Sequence, residues 1–201
     1  MQYNWSWAAS AADRAAPIAD RGEARDGGQP YRRHDERHDS VTGLPRPRSF
    51  LDHLDRALRT PGRSPASVAM LLLRVTNLDA LRARGGTPCC DEVLRIIAEG
   101  LHEAVPEPNL VTRLCGGDFA IVLRDLGPEV TTEALATRLL ERVSEPFPSG
   151  DRLLRCAVVG ALVAAARHKE AAIELLDRTM RALSRATVRL GAQEHRGLGR
   201  N

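Results

Sequence analysis

From residue 39 onward the apolar positions fall into short periodic blocks separated by Gly and Pro. Phe50, Leu51, Leu54 and Leu58 share one side of a helix that Pro61-Gly62 ends. Val68 to Val75 is a short apolar run flanked by Pro and Gly, which predicts a buried strand. Leu78 and Leu81 open a short helix that Gly85-Gly86 stops, and Val93, Ile96, Ile97 and Leu101 form the stripe of another over 89–105. Two β-patterned segments, roughly 109–115 and 118–124, flank a Gly-rich turn and read as a hairpin. Leu135, Leu139 and Val143 mark a helix over 131–145. Residues 153–163 read as a strand, and Ile173, Leu176, Met180 and Leu183 mark a final helix over 170–187. There is no internal repeat and no coiled-coil heptad.

After the first helix the order is therefore β-α-α-β-β-α-β-α. Strands alternate with helices while one strand pair is a hairpin. This predicts an α/β (α+β) fold with a mixed central sheet and flanking helices, of the ferredoxin-like kind.

The length of 201 residues suits one domain with a sizeable core plus a tail. A net charge of +3 gives no reason to expect nucleic-acid binding. Lys169 is the only lysine, and the arginines are too scattered to form a phosphate patch. The cysteines at 89, 90, 115 and 156 lack zinc spacing, and adjacent Cys89-Cys90 is a poor clip, so reduced thiols in a cytoplasmic protein are expected. The longest apolar run, Cys156 to Ala166, is too short to span a membrane, and the N-terminus shows no secretory pattern.

Residues 1–38 carry no sustained apolar period and end in a cluster of arginine, histidine and acid, which reads as a disordered or weakly structured tail. Both tryptophans and both tyrosines lie in it, leaving a short docking motif as the alternative. Residues 39–190 are read as the domain and 191–201 as a C-terminal tail.

The hairpin segment reads Arg113-Leu114-Cys115-Gly116-Gly117-Asp118-Phe119. It resembles the signature of GGDEF domains, the diguanylate cyclases that join two GTP molecules into cyclic di-GMP. Asp39-Ser40-Val41-Thr42-Gly43-Leu44-Pro45 resembles that family's opening motif D-x-L-T-G-L, and Phe50 matches its later Phe. Leu71-Leu72-Leu73 sits where the first strand delivers D-x-D, and Gly86 with Cys90-Asp91-Glu92-Val93-Leu94 sits where the family has G-H-x-x-G-D-x-L-L. Thr112-Arg113 meets the A-R before the signature. The resemblance covers 39 to about 190 with almost no gaps and implies a nucleotidyl cyclase-like GGDEF core.

The resemblance also shows what this chain lacks. Family members use two divalent metals to neutralise phosphate charge and activate the attacking hydroxyl. They supply carboxylates from the end of the first strand and from the third signature position. Here those positions are Arg74, with Thr76 at the second strand acid, and Gly117. A guanidinium about 4 Å from a divalent cation repels it by roughly 8 kcal/mol at an effective dielectric of 20. The guanine-binding Asn corresponds to Arg82, although Asp91 is kept. Phe-Lys becomes Leu78-Asp79, the last helix carries Thr187 for Lys and Leu190-Gly191 for Gly-Arg, and the product-inhibition motif R-x-x-D would start at Pro106 and end at Asn109, so that site is missing too. A one-residue shift would instead make Gly116-Gly117-Asp118 a true G-G-D with Cys115 inserted. The resemblance places the first strand beside the hairpin, so Arg74 and Asp118 are expected to pair where metal would sit; the alternative leaves both in solvent. Asp91 also suits the start of a helix, where an acid offsets the macrodipole.

The expected function is a non-catalytic regulatory or protein-interaction module of cyclic di-GMP signalling. It would need no cofactor and would take a partner in trans such as a phosphodiesterase, with neither nucleic acid nor membrane as partner. One alternative is a metal-independent GTP sensor using Arg74, Arg82, Asp91, Gly116, Gly117 and Asp118. The other is an active cyclase with Mg²⁺.

Overall fold

A computed structural model describes residues 38–60, 68–107, 109–124, 126, 130–149, 152–166 and 170–198. The expected tail, up to residue 37, lies outside the described residues.

Helix α1 (Pro47–Arg59) starts with Pro at its first position, where no N–H is needed, and ends with Arg56 and Arg59 against the negative end of the helix. It buries Phe50, Leu54, Ala57 and Leu58. β1 (Val68–Val75) is buried along almost its whole length. α2 (Leu78–Ala104) is one run broken at Gly86, whose φ of 70° and ψ of −168° interrupt the helix. A side chain at that backbone angle is costly, which is why the break falls on glycine. The two helices expected from the apolar stripes are the two halves of this element.

β2 (Leu110–Cys115) and β3 (Asp118–Arg124) form the hairpin. α3 (Thr132–Ser144) is capped by Thr131, whose side chain accepts the Ala134 N–H at 3.1 Å. β4 (Phe147–Ser149) and β5 (Arg152–Leu154) make a separate small antiparallel pair, and β6 (Val158–Ala164) follows. One strand over 153–163 was expected; it is two, divided at 155–157. There Asn77 donates to the Arg155 carbonyl and accepts the Ala157 N–H, both at 3.0 Å, so these groups are taken by a side chain. α4 (Ala172–Leu198) extends past the expected end at 187, so that 191–198 of the expected 191–201 tail is helical. Ala192, Gln193, Glu194 and Arg196 are good helix formers and offset Gly191 and Gly197.

The four-stranded sheet has the order β2-β3-β1-β6, and all three pairings are antiparallel. The expectation of a mixed sheet is corrected. α2 links β1 to β2, and α3 lies between β3 and β6. Both crossovers join strands that run the same way, but a third strand lies between them each time. This split β-α-β weave converts parallel connections into antiparallel neighbours, the ferredoxin-like arrangement.

Helices cover both faces of the sheet. Leu71, Leu73, Val75, Phe119, Ile121 and Leu123 join the core with Val93, Ile97 and Leu101 of α2 and Leu139 and Val143 of α3. The alternate residues Met70, Leu72, Ala120 and Val122 are also buried, on the side of α1 and α4. Two covered faces explain why β1 and β3 read as continuous apolar runs. Truncating a fully buried leucine such as Leu72 to alanine costs about 2–5 kcal/mol.

Candidate functional site

The hairpin turns through Gly116, left-handed at φ 55°, and Gly117. Cys115 stands opposite Asp118 across it, and the register slips between Arg113 and Cys115. The next strand over is β1, and its Arg74 is the ladder partner of Asp118. The Arg74 Nε and Nη2 donate to Asp118 Oδ1 and Oδ2, both at 2.7 Å. The Asp118 side chain is 3% exposed and that of Arg74 14%, so this two-pronged pair is largely shielded from water. The expected ion pair is present and the solvent-facing alternative is not.

Gly117 is pressed against β1. Its carbonyl accepts the Val75 N–H at 3.0 Å. A Cβ added there would lie 3.1 Å from both the Val75 Cβ and the Val75 carbonyl oxygen. The space that a side chain would use at the third signature position is filled by the neighbouring strand. Thr76 is also engaged: its hydroxyl donates to the Ala157 carbonyl at 3.1 Å, which also accepts the Thr76 N–H at 2.8 Å. Phe119 is wholly buried. The half-buried Cys115 thiol is pushed up, first by burial and then by the Asp118 carboxylate, against the opposing pull of Arg74 and Arg113.

The remaining residues marked in the sequence lie outside this contact. Arg82 is exposed on the first half of α2, 3.7 Å from Asp79 on its own helix. Asp91 is half-buried on the second half, beyond the break at Gly86. At the place of the R-x-x-D motif, Asn109 closes a turn: its amide donates to the Pro106 carbonyl and its oxygen accepts the Arg124 N–H, each at 2.7 Å.

One feature of the site was not anticipated. Arg113 ties the hairpin to the opening turn. Its Nε and Nη2 donate to the Gly116 carbonyl at 3.1 and 2.9 Å, and its Nη1 reaches Asp39 Oδ1 at 3.0 Å. The same carboxylate oxygen accepts the N–H and hydroxyl of Thr42. Burial alone raises the Asp39 carboxyl, but the bonds from Thr42 and Arg113 outweigh it and hold the group below its ordinary value of 3.8. Opposite charges in two motifs far apart in the chain were the available signal. Among the described residues, no three or more His, Cys, Asp or Glu side chains are grouped so as to hold a metal ion.

An antiparallel split β-α-β sheet with a Gly-Gly hairpin beside the end of its central strand is the architecture of a nucleotidyl cyclase-like domain. The family model for "Diguanylate cyclase, GGDEF domain" matches residues 36–190, and the chain belongs to that family, whose setting is cyclic di-GMP signalling. Diguanylate cyclase TpbB of Pseudomonas aeruginosa is 30% identical over 118 residues, which are 59% of this chain and 27% of TpbB. Mycobacterial relatives match over only 18% of their length, so the chain spans a small part of the curated relatives it resembles. Among solved structures, a sensory box/GGDEF family protein from Caulobacter crescentus superposes with a TM-score of 0.68 at 25% identity, covering 75% of this chain and 97% of that one. Diguanylate cyclase SiaD of Pseudomonas aeruginosa, solved with its activator SiaC, superposes with a TM-score of 0.64 at 24% identity, covering 76% of this chain and 58% of that one. Among the described residues, no helix is long and apolar enough to cross a membrane.

Proposed function

We propose that this chain is a GGDEF domain without cyclase activity, acting as a regulatory or protein-interaction module in cyclic di-GMP signalling. The observation that carries this reading is the Arg74–Asp118 pair. A divalent cation approaching Asp118 must first displace two charge-assisted hydrogen bonds in a shielded place, and then meets the released guanidinium. The third signature position offers it no ligand, since Gly117 has no side chain. The residues present do not fit the family's metals: among the described residues no three His, Cys, Asp or Glu side chains are grouped to hold one. A protein partner in trans has a structural precedent in SiaD with SiaC.

Use of Arg74 as a phosphate contact is disfavoured by the same pair, because its Nε and Nη2 already serve Asp118. The test is calorimetric titration of the full chain with GTP, with and without Mg²⁺, followed by a product assay on the same sample. Neither binding nor product is expected. Cyclic di-GMP in the product assay overturns the reading. Binding without metal and without product replaces it by a GTP sensor, with exposed Arg82 the first residue to substitute.

A further inference from the structure

We infer that the groove between α2 and α3 is a docking site for a basic segment of a partner protein, taking an arginine or lysine side chain over an apolar floor. The inference rests on the interaction-module reading and gives it a surface. The groove is a cavity of about 280 Å³ on the far side of α2 from its N-terminal half, walled by the end of α2, the end of α3 and the start of β4. Ile97 and Val143 are buried in its floor, and half-buried Phe147 adds an aromatic ring.

Three exposed carboxylates, Glu99, Glu103 and Glu145, line its rim. Only Glu103 is neutralised there: Arg142 Nη2 reaches its Oε2 at 2.6 Å, while Arg142 Nε donates to the Gly100 carbonyl at 3.2 Å. Glu99 and Glu145 have no side-chain hydrogen bond or ion pair among the described residues. Glu145 also caps α3, so the negative end of that helix adds to the same rim.

Charge and size together select the occupant. The rim is acidic on a chain whose net charge is +3, so the patch runs against the average of the molecule. Phosphate-bearing ligands are repelled. The volume is at or below the low end of small-molecule pockets, about 300–1,000 Å³, which suits one or two side chains. The described residues include no three-ligand cation site. Arginine and lysine meet both demands, laying an aliphatic stem on apolar surface while the head group reaches acid.

The test is NMR titration of the ¹⁵N-labelled full chain with a capped Leu-Arg-Leu-Arg-Leu peptide and a Leu-Gln-Leu-Gln-Leu control. Saturable shifts centred on Gly100 and Val143 are expected, with affinity at least tenfold weaker for the control peptide. The doubly substituted Glu99→Gln/Glu145→Gln chain should likewise lose at least tenfold. Equal binding by that variant, or shifts centred elsewhere, overturns the proposal. So does saturable occupancy by spermidine at the same concentrations as the peptide, which would assign the groove to small polyamines. Concentration-dependent self-association that disappears in the double variant would assign it to a second copy and also overturn it. The same samples are assayed for cyclic di-GMP: product overturns the non-catalytic reading whatever the peptide does, whereas loss of peptide binding without product overturns only this surface.

Discussion

Two charged places on this molecule differ in how far their charges are already spent. At the hairpin, Asp118 is 3% exposed and both its oxygens are taken by Arg74. In the groove between α2 and α3, Glu99 and Glu145 stand exposed at the rim of a cavity. The first place is closed and holds two strands together; the second is open and has charge left for a ligand. Family resemblance draws attention to the hairpin, yet the unspent electrostatics lie elsewhere. A familiar motif marks a place in the fold, whereas partnering and exposure decide which charges there can meet a ligand.

The largest test of this contrast is Arg74→Asp. It removes the partner of a buried carboxylate and places a like charge beside it, and should destabilise the fold by about 3–5 kcal/mol. Urea denaturation measures this. The double substitution Arg74→Met/Asp118→Leu should recover most of the loss, because no unpaired charge remains. If Arg74→Asp leaves the denaturation midpoint unchanged, the closed character of the hairpin is wrong.

Gly117→Glu restores a family-like side chain at the third signature position. The 3.1 Å approach to Val75 means strand β1 must give way, so a loss of about 1–3 kcal/mol is expected. No gain of Mg²⁺-dependent cyclic di-GMP formation should accompany it, since Arg74 remains in place.

Asp39 gives a pH signature. Its carboxyl is lowered in the folded state, so its contribution to stability is fully present above 3.8 and is lost as pH falls through the lower folded value. Thermal unfolding of the native chain and of Asp39→Asn, compared at pH 6 and pH 3, should show a smaller acid loss in the variant. Equal acid loss in both would remove Asp39 from the account. The smallest effect is expected in the groove: Glu99→Gln/Glu145→Gln should change stability by no more than about 0.5 kcal/mol. A larger loss would mean that those carboxylates serve the fold after all.

Much of this was legible in the chain itself. Val68–Val75 is recognisable as a strand because a run buried on both faces needs apolar residues throughout. Gly86 marks the break in α2, and Gly116 the hairpin turn, because few other residues fit a positive φ. The residues Arg74, Gly117 and Asp118 are read directly from the chain. Tertiary structure alone decided the rest. The antiparallel sheet depends on which strand slips between two others, and local propensity does not encode that. The division of the strand expected over 153–163 depends on Asn77 reaching 155 and 157, nearly eighty positions away in the chain. The clamp from Arg113 to Asp39 and the open groove likewise join residues that share no local pattern. The sequence determined most of the elements and the side chains available at the hairpin, because period and side-chain chemistry are local. Only the folded chain decided which charges are paired and which stand free, because pairing is set by distances between segments far apart in sequence.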